Sequence, residues 1–159
     1  MAYKLGFGKH AERTIEWLFF NDPGYVWWMI ANNADKNLHG AARQRFDDLV
    51  RRARHLRVPG KCWQCRSRPI ARMFLTRHIS GGLGRVDFFC DTCKYEGGSP
   101  SYSTTPAFYT PDFFRDYDKT GGRFLVDEIK CAYFGNSKHR MTQSRMEEFF
   151  DTPGNFINF

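Results

Sequence analysis

The sequence lacks an apolar run long enough to cross a membrane, and its first residues do not show the basic and apolar pattern of a secretory leader. These two absences predict a cytoplasmic protein that has no membrane partner. Disulfides are rare in a reducing compartment, so the five cysteines are better explained as metal ligands or free thiols than as a disulfide framework.

Acidic residues are scarce in one block of the chain. Residues 51–94 contain eleven Lys and Arg but two Asp and Glu, whereas residues 1–50 contain six of each kind and residues 95–159 seven against nine. The net charge of +7 therefore arises in this block, in a chain that also has sixteen Phe, seven Tyr and four Trp. Basic side chains neutralise phosphates and flat rings stack on bases, so the composition favours a nucleic-acid partner, which we expect to be DNA.

Four of the cysteines form two Cys-x-x-Cys pairs, Cys62 with Cys65 and Cys90 with Cys93, separated by twenty-four residues. Each pair can direct two thiolates at one ion, and two such pairs complete a tetrahedral site. We expect these four residues to bind zinc, and we expect Cys131 to stay outside the site. A site closed by four protein ligands leaves no position for water, so the zinc is expected to be structural.

The residues between the two pairs have the pattern of a β-hairpin. Residues 73–77 and 85–89 are rich in aromatic and β-branched side chains, and glycines 81, 82 and 84 supply a turn between them. A hairpin that leads from one cysteine pair to the other is typical of a zinc ribbon, which we assign to residues 59–97.

The first third of the chain has helical patterns with recognisable ends. One helix is expected from about Thr14, and a second should begin with Asp22 as N-cap and Pro23 as its first residue. The longest periodic segment, residues 38–57, is expected to form a third helix that ends before Pro59 and Gly60.

A motif within this third carries a resemblance to a known family. Its residues are Leu5, Phe7, Gly8, Lys9, His10, Trp17, Leu18, Asp22, Pro23, Tyr25, Trp28 and Met29. Residues 1–58 thereby resemble the small module found at the C-terminus of exodeoxyribonuclease X and in related bacterial proteins, although Glu12-Arg13 stands where that family usually has Gly-Lys. The resemblance implies an accessory nucleic-acid-binding module of a bacterial or phage protein, with Gly8, Lys9 and His10 as phosphate contacts.

The C-terminal segment, residues 98–159, admits two interpretations after a polar loop or linker at residues 96–106. Asp112, Glu128 and Lys130 resemble the Pro-Asp…Glu-x-Lys signature of restriction-endonuclease-like enzymes, in which strand residues hold Mg²⁺ for phosphodiester hydrolysis. The same residues also suit a helix that ends at Gly135, followed by a last helix over residues 142–150. We adopt the helical interpretation, in which Asp112, Glu128 and Lys130 are a cap and surface charges.

The sequence therefore predicts an α+β protein with a helical N-terminal module, a central zinc-ribbon hairpin and a mostly helical C-terminal segment. Its predicted function is that of a zinc-stabilised nucleic-acid-binding accessory protein without a catalytic centre. The proposed footprint comprises Lys9, His10, Arg51, Arg52, Arg54, Arg57, Arg66, Arg68, Arg72 and Arg77, with Trp63 as a stacking residue. Two alternatives are a Mg²⁺-dependent nuclease and a zinc-ribbon adaptor or inhibitor that binds a protein.

Overall fold

The computed structural model describes residues 2–77, 83–94, 102–108 and 122–157, without the side chains of residues 77, 83 and 102. Within these ranges it contains five α-helices and one three-stranded antiparallel sheet, which confirms the α+β class. The elements are α1 (Ile15–Asn21), α2 (Pro23–Ala31), α3 (Gly40–Ala53), β1 (Arg72–Arg77), β2 (Leu83–Phe89), β3 (Tyr102–Thr104), α4 (Gly122–Phe134) and α5 (Gln143–Asp151). No helix among the described residues is both long enough and apolar enough to traverse a bilayer.

The two N-terminal helices begin where the capping residues predict. The Thr14 hydroxyl accepts a hydrogen bond from the Trp17 amide at 3.3 Å and caps α1. The Asp22 carboxylate accepts one from the Tyr25 amide at 3.1 Å, and Pro23 occupies the first position of α2. These contacts satisfy amide groups that have no partner inside the helix, which is why both helix starts can be predicted from sequence.

The sheet has two different faces. Strands β1 and β2 pair antiparallel, with Met73 opposite Phe88 and Leu75 opposite Val86, and these four side chains join the hydrophobic core formed with the helices. The intervening residues point the other way, because side chains alternate along a strand. Phe74 and Phe89 on this second face form a separate small cluster with Cys62 and Cys90. The hairpin thus connects the main core to the cysteines.

The expectation of an irregular loop over residues 96–106 is wrong in its described part. Residues Tyr102–Thr104 form β3, which pairs with β1 so that Met73 lies opposite Thr104 and Leu75 opposite Tyr102. The hairpin alone would leave one edge of β1 without backbone hydrogen bonds, and the short strand supplies them. Residues 95–101 lie outside the described part of the chain, as do glycines 81 and 82 of the predicted turn.

The described C-terminal segment is mostly helical, as the adopted interpretation predicts. Helix α4 ends at Phe134, and Gly135 follows with φ +72° while its amide donates to the Cys131 carbonyl at 2.8 Å. Glycine adopts this left-handed conformation without steric cost, which explains the helix end. Thr142 caps α5 by accepting a hydrogen bond from the Arg145 amide at 3.4 Å.

A short extended segment after α3 connects the C-terminal residues to the rest of the core. Leu56 donates its amide to the Pro106 carbonyl at 2.7 Å, and Arg57 donates its amide to the Asn155 carbonyl at 2.8 Å. Leu56 also forms an antiparallel bridge with Phe156, whose ring stacks on Phe150 with centroids 5.9 Å apart. The C-terminal residues through Phe156 therefore fold back onto the helical core.

Three helices are joined by one arginine. Arg45 on α3 donates from Nε to the Glu16 carboxylate of α1 and from Nη1 to the Asp151 carboxylate of α5, both at 2.8 Å. Glu16 is 0% exposed, so its carboxylate has lost its hydration. Among the described ion pairs, the one with Arg45 is the only one that compensates for this loss. A buried carboxylate without a cation is costly, which makes Arg45 essential to the helical core.

We expect Arg45→Ala to lower the free energy of unfolding by about 3 kcal/mol, because the substitution leaves the Glu16 carboxylate buried and unpaired. Urea denaturation followed by circular dichroism measures the effect. Lys4→Ala is the control, since Lys4 and Glu12 form a solvent-exposed pair at 2.7 Å and its loss should change stability little. Equal effects of the two variants would contradict the assignment of Arg45 as a core contact.

Candidate metal centre and basic surface

The structure brings the four predicted cysteines together. The sulfur atoms of Cys62, Cys65, Cys90 and Cys93 all lie within 4.8 Å of one another, and all four residues are free thiols. Cys62 and Cys90 are buried, whereas Cys65 is exposed and Cys93 half-buried, so the cluster lies at the edge of the protein. Such a set of sulfur donors at this spacing could hold a metal ion such as zinc.

Backbone hydrogen bonds shape the first cysteine turn, residues 62–65. Cys62 donates its amide to the Arg68 carbonyl at 2.8 Å and accepts the Arg66 amide on its own carbonyl at 2.9 Å. Trp63 donates its amide to the Phe88 carbonyl at 3.0 Å, which attaches the turn to the end of β2. These contacts hold the backbone of the turn that carries the two thiols.

Hydrogen bonds to sulfur favour thiolate at two positions of the metal-free cluster. The Ser67 hydroxyl, 3.3 Å from the Cys65 sulfur, and the Arg68 and Ser67 amides lower the pKa of Cys65 to about 5. At Cys62 burial raises the pKa, but hydrogen bonds from the Cys65, Cys90 and Gln64 amides outweigh it and lower the pKa below its usual range. Sulfur that accepts N–H and O–H donors in this way is prepared for metal coordination.

Cys93 behaves in the opposite way. Its contact with Cys90, together with burial and the neighbouring sulfurs, raises the pKa of Cys93 to about 12. Negative charges crowded at this distance disfavour one another, so the metal-free cluster cannot ionise completely at neutral pH. A divalent cation would remove that repulsion and favour the thiolate form of all four cysteines.

Arg72 supports the second cysteine turn, residues 90–93. Its guanidinium donates to the Cys93 carbonyl at 2.8 Å and to the Cys90 carbonyl at 3.3 Å, and it lies over the Phe74 ring at 5.2 Å. Arg72 belongs to the predicted nucleic-acid footprint, but these contacts direct its charge toward the backbone of the turn. The sequence shows a cation at the start of the predicted hairpin, and it does not show which carbonyls that cation reaches.

Two other arginines of the predicted footprint are exposed beside the first turn. Arg68 donates to the Thr92 hydroxyl and lies 3.9 Å from the Asp91 carboxylate, so it connects the two turns across the cluster. Arg66 adopts φ +55°, a left-handed conformation that is unusual for a side chain of this size. Trp63, in the same turn, is 44% exposed and packs edge-on against Phe88.

The arginines at the end of α3 divide into two groups. Arg51 and Arg52 both contact the Asp48 carboxylate, at 2.6 and 2.8 Å, and Arg52 also donates to the Phe150 carbonyl at 2.9 Å. Arg57 donates to the Phe156 carbonyl at 3.3 Å, whereas Arg54 is exposed at the helix end. Part of the predicted basic block thus stabilises the fold. The side chain of Arg77, the last arginine of the predicted footprint, is not among those that the structure describes.

Lys9 and His10, predicted from the family resemblance, both contact Asp22. Lys9 Nζ lies 2.8 Å and His10 Nε2 2.9 Å from the same Asp22 oxygen. Burial opposes ionisation of Asp22, yet the hydrogen bonds from Lys9 and His10 hold its pKa below the usual range. His10 is 17% exposed and lies between the rings of Trp17 and Tyr25, with centroids 5.0 and 4.9 Å away, whereas Lys9 is 61% exposed.

The strand interpretation of residues 124–130 is wrong, because both of its described signature residues lie within α4. Residues two apart on a helix point about 200° apart around its axis, so Glu128 and Lys130 cannot share a face as strand residues would. Burial raises the pKa of Glu128, and the charges of Asp127 and Asp87 add to this effect. Among the described residues, the cysteine cluster is the one group of three or more His, Cys, Asp or Glu side chains close enough together to hold a metal ion. Asp112 lies outside the described part of the chain.

The cleft beside the start of α2 was not expected from the sequence. Its volume is about 490 Å³, and its walls include Lys9, Tyr25, Trp27 and Trp28. Trp28 is 43% exposed and stacks on Tyr25, with centroids 5.0 Å apart and ring planes 18° apart. The aromatic residues are visible in the sequence, but helical periodicity alone does not distinguish a core ring from a cleft wall.

The fold and the site define an α+β protein whose antiparallel hairpin joins two cysteine turns able to bind one metal ion. No protein-family model, curated protein or solved structure matches this chain significantly. The resemblance to the exodeoxyribonuclease X module therefore stays a prediction.

We expect Cys90→Ser to reduce the bound metal from about one ion per chain to near zero and to lower the melting temperature, because a buried thiolate ligand is lost. Elemental analysis of the purified protein and thermal unfolding measure the two effects. Cys131→Ser is the matched control, since Cys131 is exposed on α4 and is not one of the clustered cysteines. Full metal content in the Cys90→Ser protein would exclude the cluster as the metal centre.

Proposed function

We propose that this chain is a zinc-stabilised, nucleic-acid-binding accessory protein without a catalytic centre of its own. Zinc is the preferred ion because a closed set of four cysteine thiolates suits its tetrahedral geometry and soft-ligand preference. The two turns and the β1–β2 hairpin then form a zinc ribbon. Four thiolates leave no open coordination position, so the ion stabilises the fold and does not activate water.

The conformation of Arg66 is the observation that carries the proposal. A non-glycine residue with positive φ costs on the order of 1 kcal/mol or more, and glycine would avoid this cost. The guanidinium of Arg66 makes no ion pair or hydrogen bond within the described part of the chain that would offset it. The exposed guanidinium is therefore available to a molecule outside the chain, and its charge favours a phosphate.

Neighbouring side chains support this assignment. We define the knuckle surface as Lys61, Trp63, Arg66 and Arg68, all exposed on or beside the first cysteine turn. Together they offer three cations for phosphate contacts and one ring for stacking on a base. Arg54 lies a few residues before this surface and adds to the same basic segment. The hydrogen bonds of the turn hold the backbone of this surface in place, which lowers the entropic cost of binding.

The nuclease alternative receives no support from the described residues. Glu128 and Lys130 diverge on α4, and none of the described carboxylates forms a group with metal-ligand spacing. The adaptor alternative predicts a different result in the same binding experiment, because a protein partner need not depend on phosphate neutralisation.

We expect Arg66→Gly to weaken binding to nucleic acid while leaving stability within about 1 kcal/mol of the wild type, since relief of strain and the added backbone entropy of glycine nearly cancel. The slope of log K against log salt should fall by about 0.9 for a duplex or about 0.7 for a single strand, which is the loss of one phosphate contact. Fluorescence anisotropy with labelled DNA and RNA at several salt concentrations, together with urea denaturation, measures both quantities.

Arg123→Gly is the control variant for charge, because Arg123 is exposed on α4 in a segment without a basic excess. It should leave the salt slope unchanged. Wild-type protein that is fully loaded with zinc but binds neither DNA nor RNA at moderate salt would overturn the proposed function. A pull-down from cell extract would then decide on the adaptor alternative. A protein partner that stays bound to this chain after nuclease treatment would favour the adaptor over the nucleic-acid-binding function.

A further inference from the structure

A second surface, the cleft beside α2, has a composition that selects among ligand classes. Its walls combine the rings of Tyr25, Trp27 and Trp28 with the ammonium of Lys9, and Gly8 also lines it. The volume of about 490 Å³ falls in the range of about 300–1,000 Å³ that is usual for small-molecule sites. The cleft is therefore large enough for one planar ring system with a charged substituent.

Lys9 lines the cleft together with Asp22, and the two side chains form an ion pair at 2.8 Å. Lys9 Nζ lies 4.9 Å from the centroid of the Tyr25 ring, the position in which an aromatic cage would hold a cationic ligand. Because Lys9 already occupies this position, a methylated lysine or choline would have to lie beside a like charge, which argues against such a ligand. Lys9 donates one of its three N–H groups to Asp22, so its exposed ammonium can also reach an anion.

The aromatic wall favours a flat ligand. Trp28 and Tyr25 are nearly parallel, with an interplanar angle of 18°, and Trp28 is 43% exposed. A heteroaromatic ring laid against Trp28 would continue this stack and remove exposed apolar surface from water. A base attached to a phosphate meets both requirements, because the ring stacks while the phosphate approaches Lys9.

We propose that this cleft binds one unpaired nucleotide of a single-stranded nucleic acid, with the base on Trp28 and a phosphate at Lys9. The inference rests on the proposed function and deepens it, because it assigns a strand type to the protein. Bases inside a duplex are stacked on their neighbours and cannot reach Trp28, so the cleft contributes to single-strand binding only. The knuckle surface, which contacts phosphates, serves both strand types.

Gly8 controls how closely the loop before Lys9 approaches Tyr25. It has φ +67°, and a Cβ placed on it would overlap the Tyr25 hydroxyl. Gly6 provides a comparison, since it has φ +77° and a Cβ placed on it would meet no atom within 4 Å. Alanine at either position strains the backbone to a similar degree, but alanine at Gly8 alone must also displace the stacked Tyr25 ring.

The test compares Trp28→Ala with wild type on an oligothymidine of about fifteen nucleotides and on a duplex of about fifteen base pairs, lengths that cover a typical single-strand binding site. We expect affinity for the single strand to fall roughly tenfold, the usual effect of losing one base stack, with duplex affinity unchanged. Trp28→Phe should restore most of the single-strand affinity. Lys9→Gln should reduce the single-strand salt slope by about 0.7.

Two further measurements separate this inference from the function on which it rests. Phe124→Ala removes another exposed aromatic residue outside the cleft and should leave both affinities unchanged. Gly8→Ala should reduce single-strand affinity more than Gly6→Ala does. The cleft assignment alone is overturned if Trp28→Ala binds the single strand as tightly as the wild type does. It is also overturned if this variant loses affinity equally for the single strand and the duplex. Absence of all binding by zinc-loaded wild type overturns both proposals.

Discussion

The two cysteine turns can meet only because β1 and β2 pair in one register. In this register four apolar side chains face the helical core, because Met73 lies opposite Phe88 and Leu75 opposite Val86. Phe74 then lies on the opposite face of the sheet, with the cysteines. A shift by one residue would exchange the two faces and separate the sulfur atoms. The hydrophobic core and the metal centre are therefore coupled through the alternation of side chains along one hairpin.

The arginines of this protein fall into two groups by their contacts. Arg45, Arg52 and Arg72 donate to carboxylates or to backbone carbonyls, and they connect elements that lie far apart in the sequence. Arg54 and Arg66 are exposed and make no such contacts to described residues. A guanidinium has five donors in a planar arrangement, so it suits both structural bridging and phosphate binding. Charge counted along the sequence cannot separate the two groups.

The knuckle surface and the cleft beside α2 are complementary in their chemistry. The first has several cations and one exposed ring on a backbone held by the cysteine turn, while the second has several rings and one exposed cation. Phosphate contacts supply affinity for any nucleic acid, whereas a cleft that accepts a base distinguishes unpaired from paired strands. The two proposals together predict a preference for single-stranded over duplex nucleic acid.

The sequence by itself determined the elements whose signals are local. Thr14, Asp22 and Thr142 cap helices through neighbouring amides, Gly135 ends α4, and each Cys-x-x-Cys pair marks one cysteine turn, because each of these signals depends on residues a few positions apart. Only the tertiary structure decided that Tyr102–Thr104 completes the sheet, that Glu128 and Lys130 diverge, and that Arg72 holds a cysteine turn. These outcomes depend on partners distant in the chain, whose approach is set by packing and hydrogen-bond satisfaction and leaves no local pattern to read.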